Sequence, residues 1–254
     1  MADKARLDGK TRARVLLIDI ENHDLHADYG WFICGCWKVM GEDKIHTVSL
    51  LDYPKYINRT SKHFYPNYDA PAVQEYIRQI SDADILVGHY EIYHDFPYLQ
   101  TRAVIHNQDT LPPDIQLQDT WSIAKHKMKF GSNRLASLER ALNIKFHKTQ
   151  ILPEYWAKAS WGHKPSLRYI VEHCKQDILV LEEAYKRIRG LSTTHPNVCL
   201  PGGVDGCTKC GAVGTMERRG RRITKSSIAQ RYYCRTCRSW SVTALKRVPE
   251  VTLR

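Results

Sequence analysis

The chain has 254 residues, of which 43% are hydrophobic and 26% charged, and its formal net charge is +11. A chain of this size buries one core of about 150–200 residues and leaves material for a small second module. Residues 2–14 are polar and charged, and no later apolar run reaches the length of a membrane span. These features exclude a membrane protein and favour a soluble cytoplasmic one without a membrane partner.

The positive charge is concentrated towards the C-terminus. Residues 199–254 contain 12 lysines and arginines against three acidic residues, a net charge of +9, whereas residues 1–198 carry a net charge of +2. A basic segment attracts polyanions such as nucleic acid, although a basic surface is also compatible with mere solubility. The nearly neutral first part suits a domain that holds acidic groups of its own.

The first part of the chain predicts an α/β fold. Apolar runs bounded by turn residues predict strands, and apolar residues spaced three and four apart predict helices. Three strands in succession would form an antiparallel meander, and a helix followed by a buried strand then begins an α/β pattern. In chain order we predict strands at Arg14–Ile20, Trp31–Met40, Lys44–Tyr53 and Asp84–Gly88, and helices at Pro71–Ile80, Asp95–Ile105, Thr120–Met128, Ser132–Leu142 and Ser166–Arg189.

A linker is predicted between the two parts. Residues 191–205 are rich in Ser, Thr, Pro and Gly, which is a linker composition. We therefore predict one domain over residues 1–198 and a second, smaller domain over residues 199–254.

Carboxylates follow two of the predicted strands. Asp19 and Glu21 are two residues apart, so their side chains leave the strand on one face and could share a metal ion. Asp-x-Glu at a strand end is also common as surface charge that closes a strand. Asp95 opens a helix directly after the buried strand that ends at Gly88, which gives a second carboxylate a defined position.

The last predicted helix carries His173 and Asp177 on one face, since residues four apart in a helix are neighbours. They lie beside an apolar stripe, where polar residues are uncommon unless they have a functional or structural role. The alternative to a functional role is an ordinary hydrogen-bonded pair at the edge of the buried surface. Cys174 is rejected as a nucleophile that His173 would activate, because the side chains of adjacent helical residues diverge by about 100°. Cys34 and Cys36 alternate on a predicted strand and are interpreted as core residues.

These motifs resemble the DEDD exonuclease superfamily, which has a ribonuclease H-like fold. The resemblance rests on Asp-x-Glu on a first strand, on Gly-His followed by five residues and Asp95 after a later strand, and on His-x3-Asp on a terminal helix. Residues 117–135, 169–188 and 195–197, together with the tail, resemble a group of phage and bacterial DEDD-type exonucleases that end in a zinc ribbon. The resemblance covers about residues 14–240.

The resemblance implies a metal-dependent nuclease. It implies that Asp19, Glu21, Asp95 and Asp177 bind two Mg²⁺ or Mn²⁺ ions, which prefer hard oxygen ligands, with Asp19 as the bridging ligand. It also implies that His173 orients or deprotonates the attacking water, a task to which a neutral imidazole is suited.

The sequence departs from the family pattern in two places. His173-x3-Asp177 has the spacing of the tyrosine branch of the superfamily and the residue of the histidine branch. In the second motif, Tyr90 stands where the family has Asn, and His94 where it has Phe. These departures concern the general base and the contacts with the substrate rather than the metal ligands.

Cysteines in the basic tail predict a zinc ribbon. Cys207-x2-Cys210 and Cys234-x2-Cys237 offer four thiolates in two knuckles, which is enough for a closed tetrahedral zinc site. Because such a site has no open position, we expect one structural Zn²⁺ without a catalytic role.

Cations and aromatic residues surround the two knuckles. Cations neutralise phosphates and aromatic rings stack on unpaired bases, so the tail is predicted to bind single-stranded or frayed nucleic acid. Alternatively, the aromatic residues form the ribbon's own small core and the charges face water. The predicted binding residues are Arg218, Arg219, Arg221, Arg222, Lys225, Arg231, Tyr232, Tyr233, Arg235, Arg238 and Trp240.

The sequence therefore predicts a 3′–5′ exonuclease that hydrolyses phosphodiester bonds of nucleic acid by a two-metal mechanism, with single-stranded DNA favoured over RNA. One alternative is a structure-selective endonuclease on the same fold. The other is a non-catalytic adaptor that binds nucleic acid through its zinc ribbon. A phage protein of this kind would act in the host cytoplasm.

Overall fold

The computed structural model describes residues 6–7, 10–54, 68–147, 149–160, 162–203, 205–244 and 246–247. The chain forms two compact units. The sheet unit is Arg14–Tyr185, and the ribbon unit combines Met1–Ala13 with Lys186–Arg254. The predicted domain boundary after residue 198 stays a prediction.

A mixed sheet of five described strands is the centre of the sheet unit. Two short strands of the ribbon unit, β1 (Arg6–Leu7) and β2 (Lys10–Thr11), precede it in the chain and pair with each other. Antiparallel pairing joins the first three strands of the sheet, whereas the last two run parallel to the first of them, which confirms the predicted meander and the α/β class. The strands are β3 (Val15–Asn22), β4 (Phe32–Val39), β5 (Ile45–Ser49), β6 (Ile85–Gly88) and β7 (Gln116–Asp119), in the spatial order β5-β4-β3-β6-β7.

Helices complete the sheet unit, and the positions of the five predicted ones are confirmed with ends shifted by at most three residues. They are α1 (Ala70–Ile80), α2 (Asp95–Ile105), α3 (Thr120–Lys127), α4 (Leu135–Ala141), α5 (Pro153–Ser160) and α6 (Lys164–Ile188). Helix α5 was not predicted, because two turns are too short to establish a clear periodicity. No described helix has both the length and the apolar character needed to cross a membrane.

Two strands differ from the prediction. The polar strand β7 was missed, because its residues do not alternate in hydrophobicity, and pairing with β6 defines it. The predicted strand Lys44–Tyr53 ends at Ser49. There the Ser49 hydroxyl accepts a hydrogen bond from the N–H of Leu51 and caps a short 3-10 helix, Leu50–Asp52.

The core lies around β3 and β4, whose apolar residues are almost completely buried. Gly35 in β4 allows α1 to approach the sheet, since a Cβ at this position would lie 2.5 Å from the ring of Tyr76. The hydroxyl of Tyr76 donates to the carbonyl oxygen of Cys36 at 2.9 Å. This close packing fixes α1 against the strand next to β3.

The ribbon unit contains a second, antiparallel sheet. Its described strands are β8 (Met216–Ile223), β9 (Ser227–Cys234), β10 (Trp240–Val242) and β11 (Lys246–Arg247). Strand β9 pairs with each of the other three. A bulge interrupts the pairing of β8 with β9 between Arg218 and Arg221, where Gly220 adopts a φ of 65°.

Candidate functional site

The candidate carboxylates of the first two motifs lie at one edge of the main sheet. Asp19 and Glu21 occupy the C-terminal half of β3, and both are half-buried. Asp95 is the first residue of α2, shortly after β6 ends at Gly88, and it is buried. Because β3 and β6 are parallel, their C-terminal ends reach the same edge of the sheet, where α/β proteins typically bind ligands.

Helix α6 brings His173 and Asp177 to Glu21. The Nε2 atom of His173 lies 3.6 Å from Oε1 of Glu21 and 3.7 Å from Oδ2 of Asp177. One ligand atom of each of these three residues lies within 4.8 Å of those of the other two. The thiol of Cys174 donates to the carbonyl oxygen of Asp19 at 3.5 Å, which ties α6 to β3 beside the cluster.

Glu91 is a buried acidic residue that the sequence analysis did not single out. It is fully buried after β6, and its carboxyl oxygens have no hydrogen-bond partner among the described residues. A Cβ at Gly88 would lie 2.5 Å from Oε2 of Glu91. Burial raises the pKa of Glu91 well above its ordinary value, and the charges of Asp95, Asp119 and Asp19 raise it further. Asp19 and Asp95 therefore both lie near enough to Glu91 for their charges to raise its pKa.

Thr149 holds the imidazole of His173 from the side opposite the carboxylates. Its Oγ1 lies 2.6 Å from Nδ1 of His173, so Nε2 is the nitrogen that faces Glu21 and Asp177. An open pocket of about 410 Å³ adjoins the imidazole and is lined in part by Tyr169. The site thus combines an oriented imidazole with adjacent space for a ligand.

The donor set of this site fits hard divalent cations. Mg²⁺ and Mn²⁺ prefer carboxylate oxygens, and Glu21 and Asp177 present such oxygens within 4.8 Å of each other and of His173. Acidic groups gathered in a mostly buried place repel each other, and after burial this repulsion is the second cause of the raised pKa of Glu91. A divalent cation would relieve this repulsion.

A buried network of hydrogen bonds and ion pairs fixes α2, the helix that begins with Asp95. The Asp69 carboxylate accepts from Nε of Arg102 at 3.0 Å and from the N–H of Phe32 in β4 at 2.7 Å, and lies 2.8 Å from Nε2 of His106. Burial raises the pKa of Asp69, but the hydrogen bonds of His106 and Arg102 outweigh burial and lower it overall. Asp69 therefore stays ionised and anchors α2 to the sheet.

The cysteines of the sheet unit are core residues, as predicted for Cys34 and Cys36. These two and Cys174 are fully buried. Burial raises the pKa of Cys34 to about 12, so its thiol stays protonated at neutral pH.

The four cysteines of the ribbon unit form a compact cluster that fits zinc. Their sulfur atoms all lie within 4.8 Å of one another, with 3.6 Å between those of Cys207 and Cys237 and 3.8 Å between those of Cys210 and Cys234. Tetrahedral Zn²⁺ with Zn–S bonds of about 2.3 Å requires sulfur atoms about 3.8 Å apart. The cluster therefore has the dimensions of a four-thiolate zinc site.

The two knuckles of the cluster share one backbone geometry. The N–H of Gly211 donates to the carbonyl oxygen of Cys207 at 2.7 Å, and that of Arg238 to the carbonyl oxygen of Cys234 at 2.9 Å. In both cases the donor stands four residues after the first cysteine and has a positive φ, 76° for Gly211 and 60° for Arg238. Each Cys-x2-Cys pair is thus turned inwards by the same kind of turn.

The predicted cations of the ribbon are all exposed, Trp240 is 48% exposed, and the two tyrosines are half-buried. Tyr233 packs against Trp240 with ring centroids 5.2 Å apart, and the guanidinium of Arg219 lies 4.3 Å from the centre of the Tyr233 ring. Glu217 forms ion pairs with Arg219 and Arg235 at 2.7 and 3.4 Å. Part of the predicted binding set therefore also has contacts within the ribbon itself.

The sheet register separates the predicted binding residues into two faces. Residues paired directly across strands share a face, and faces alternate along a strand. The pairs Arg222–Ala229 and Trp240–Tyr233 place Arg222, Arg231, Tyr233 and Trp240 on one face. The pairs Arg218–Tyr232 and Arg221–Gln230 lie on the other face. The first face borders an open groove of about 620 Å³, which Lys209 also lines.

The mixed sheet, its flanking helices and the acidic cluster at its edge define a ribonuclease H-like protein. The family model of the RNase_H superfamily matches residues 16–189, and the chain belongs to this superfamily. The predicted ribonuclease H-like fold is thereby confirmed, and membership supports nuclease activity that uses divalent metals.

A solved structure shows the same fold. The family B DNA polymerase from the hyperthermophilic archaeon Pyrobaculum calidifontis matches with a TM-score of 0.50 and 15% sequence identity over 84% of this chain. The match covers 31% of the polymerase, so the chain spans about a third of its length. No curated protein matches the sequence.

Proposed function

We propose that this protein is a metal-dependent 3′–5′ exonuclease that acts on single-stranded nucleic acid, with DNA preferred over RNA. The observation that carries the proposal is the convergence of Glu21, His173 and Asp177 within 4.8 Å. This convergence lies at the sheet edge that also holds Asp19 and Asp95 in a ribonuclease H-like fold.

The four acidic residues of the motifs would hold two Mg²⁺ or Mn²⁺ ions. Such ions supply Lewis acidity to the attacking water and neutralise charge on the leaving 3′ oxygen. The ligands would be Asp19, Glu21, Asp95 and Asp177. Glu91 is not assigned to the metals, since it is fully buried and its pKa is raised chiefly by burial.

His173 would position the attacking water and accept its proton through Nε2. This nitrogen faces the carboxylates, whereas Nδ1 is held by Thr149. The pocket beside His173, which Thr149 and Tyr169 line, would give part of the substrate about 410 Å³ of room next to the imidazole. In this arrangement the protein orients the water and the substrate before the reaction, which lowers the entropic barrier.

The ribbon unit would bind the strand and raise its local concentration. One structural Zn²⁺ held by Cys207, Cys210, Cys234 and Cys237 would keep its sheet folded. The exposed cations of the ribbon would neutralise phosphates, and the face with Arg222, Arg231 and Trp240 borders a groove that suits a nucleotide. Deleting residues 199–254 should weaken binding and flatten its salt dependence while leaving metal-dependent cleavage.

A cleavage assay tests the proposal directly. A single strand labelled at its 5′ end is incubated with Mg²⁺ or Mn²⁺ and the intact protein, in a DNA and an RNA version. The exonuclease shortens the labelled strand step by step from its 3′ end, and Asp19→Ala should abolish this ladder. Glu42→Ala is the matched control, since Glu42 is an exposed carboxylate in the turn between β4 and β5.

The other outcomes of the same assay contradict the proposal in distinct ways. Discrete internal cuts would make the protein an endonuclease. Binding without cleavage, at any concentration of either metal, would make it an adaptor.

A further inference from the structure

Two exposed tyrosines and the half-buried Trp121 form an aromatic cluster near the candidate active site. The ring centroids of Tyr90 and Tyr93 are 5.2 Å apart, and Trp121 lies edge-on to both at 5.0 and 5.5 Å. Tyr90 and Tyr93 are 43% and 53% exposed, and Ile92 between them is 40% exposed. Contiguous apolar surface of this kind marks interaction sites in soluble proteins. Tyr90, Tyr93 and Trp121 are called the aromatic patch below.

A buried carboxylate holds the aromatic patch in place. Asp119, the last residue of β7, is 3% exposed and accepts hydrogen bonds from the N–H groups of Trp121 at 2.8 Å and Tyr90 at 3.0 Å. Tyr90 has a φ of 70°, a left-handed conformation that a bulky side chain rarely adopts. Such a conformation persists where the surroundings enforce it, typically at binding sites. The backbone that carries Tyr90 and Trp121 is therefore fixed before a ligand arrives, and the mutual ring contacts restrict the side chains, which lowers the entropic cost of binding.

The residues that follow the patch along α3 are basic. Lys125, Lys127 and Lys129 are exposed, and residues 120–138 contain no acidic residue. Lys125 lies four residues after Trp121 and hence on the same face of the helix. Fixed aromatic rings next to cations are the surface on which proteins bind unpaired nucleotides, because bases stack on the rings and phosphates meet the cations.

The patch belongs to the same sheet edge as the candidate carboxylates. Tyr90 and Tyr93 lie in the segment between β6 and α2, which leads directly into Asp95. Trp121 follows the end of β7, which is parallel to β6. The patch therefore lies at the same strand ends as the carboxylates at which the 3′ end of a nucleic-acid strand would be cleaved.

We propose that the aromatic patch is a base-stacking site for unpaired nucleotides, located on the sheet unit and separate from the zinc ribbon. The proposal rests on the proposed function, because that function supplies the nucleic-acid strand whose bases would stack on the patch. Its test measures binding alone, so that failure of the exonuclease and failure of the stacking site are separate results.

The test measures oligonucleotide affinity on full-length, zinc-loaded Asp19→Ala protein. Trp121→Leu should weaken binding of a single strand by about 5- to 160-fold, the range for loss of one stacked base. A strand of the same length with abasic positions should bind the parent more weakly, and Trp121→Leu should then cause no further loss. Trp121→Phe should bind close to the parent level, which separates stacking from a folding defect.

Charge and location are tested by matched variants. Lys125→Gln should lower the slope of log affinity against log salt concentration by about one, whereas Trp121→Leu should leave this slope unchanged. Tyr53→Leu and Lys44→Gln, which flank β5, the outermost strand on the side of the sheet away from β7, should bind like the parent. Deoxyribose and ribose strands should respond alike, because stacking does not involve the 2′-hydroxyl.

Two results would overturn the proposal. One is parent-level affinity of Trp121→Leu for the intact strand. The other is an equal loss for intact and abasic strands, which would mean that Trp121 acts through the protein's structure rather than through a base.

Discussion

The hydrogen bond between Thr149 and His173 can be removed with almost no change in shape. Thr149→Val replaces the hydroxyl, which lies 2.6 Å from Nδ1 of the imidazole, with a methyl group. The net value of such a hydrogen bond is about 0.5–1.5 kcal/mol. If the bond keeps Nε2 directed at Glu21 and Asp177, its loss should lower the cleavage rate by about 2- to 13-fold, since 1.36 kcal/mol corresponds to a factor of ten.

The assay is single-turnover cleavage of a 5′-labelled strand at saturating metal. Thr149→Ser keeps a hydroxyl and should restore most of the rate, whereas His173→Ala should lose about 10²–10⁴-fold as expected for a general base. The double variant should be no slower than His173→Ala, because Thr149 acts through the imidazole. Thr101→Val is the control, since the Thr101 hydroxyl donates to a carbonyl oxygen within α2.

Cleavage by Thr149→Val at the wild-type rate would contradict a role of this hydrogen bond in orienting the imidazole. The same loss on adding the valine to His173→Ala would also contradict it, because the effect of the valine would then not pass through the imidazole.

Three further predictions concern the Asp69 network and the zinc ribbon. Arg102→Met leaves the buried carboxylate of Asp69 without a main partner and should lower the free energy of unfolding by about 3–5 kcal/mol in a urea titration. A loss below about 1 kcal/mol would show that the pair does not anchor α2. The lowered pKa of Asp69 means that its stabilisation is complete above the ordinary carboxyl pKa of about 3.9 and is lost as the pH falls through the lowered folded-state value. Acid unfolding followed by circular dichroism should therefore be less steep below about pH 4 in Asp69→Asn than in the wild type, and equal steepness would contradict this. Removing zinc with a chelator, or Cys207→Ser, should unfold the ribbon sheet and flatten the salt dependence of oligonucleotide binding. An unchanged amide-exchange pattern of the ribbon after zinc removal would contradict the structural role of the metal.

The long elements of the fold could be predicted because apolar residues occupy their buried positions in a regular pattern. Strand β4 is apolar throughout, and α6 repeats its apolar residues at helical spacing, so both were found. Strand β7 has two glutamines and an aspartate among its four residues, and it is a strand because β6 pairs with it. Local composition does not contain that information.

In the candidate site, too, some features follow from local sequence and others depend on tertiary packing. The alternation of a strand placed Asp19 and Glu21 on one face, but the 3.6 Å between Glu21 and His173 depends on how α6 packs against β3. Glu91 was missed, because an acidic residue between exposed aromatic positions resembles a surface loop. The role of Asp119 had a visible signal, since an aspartate before Thr120 is a typical N-cap that the prediction did not use.

The burial of the cysteines has a practical consequence for chemical labelling. Maleimides react with thiolates, so the buried Cys34, Cys36, Cys174 and Cys199, whose pKa values burial raises, should not react in the native protein. The ribbon sulfurs should be shielded as long as they share a metal ion. The extent of alkylation in a native preparation would then count the molecules whose ribbon has lost its metal, which gives a quality measure that requires neither substrate nor turnover.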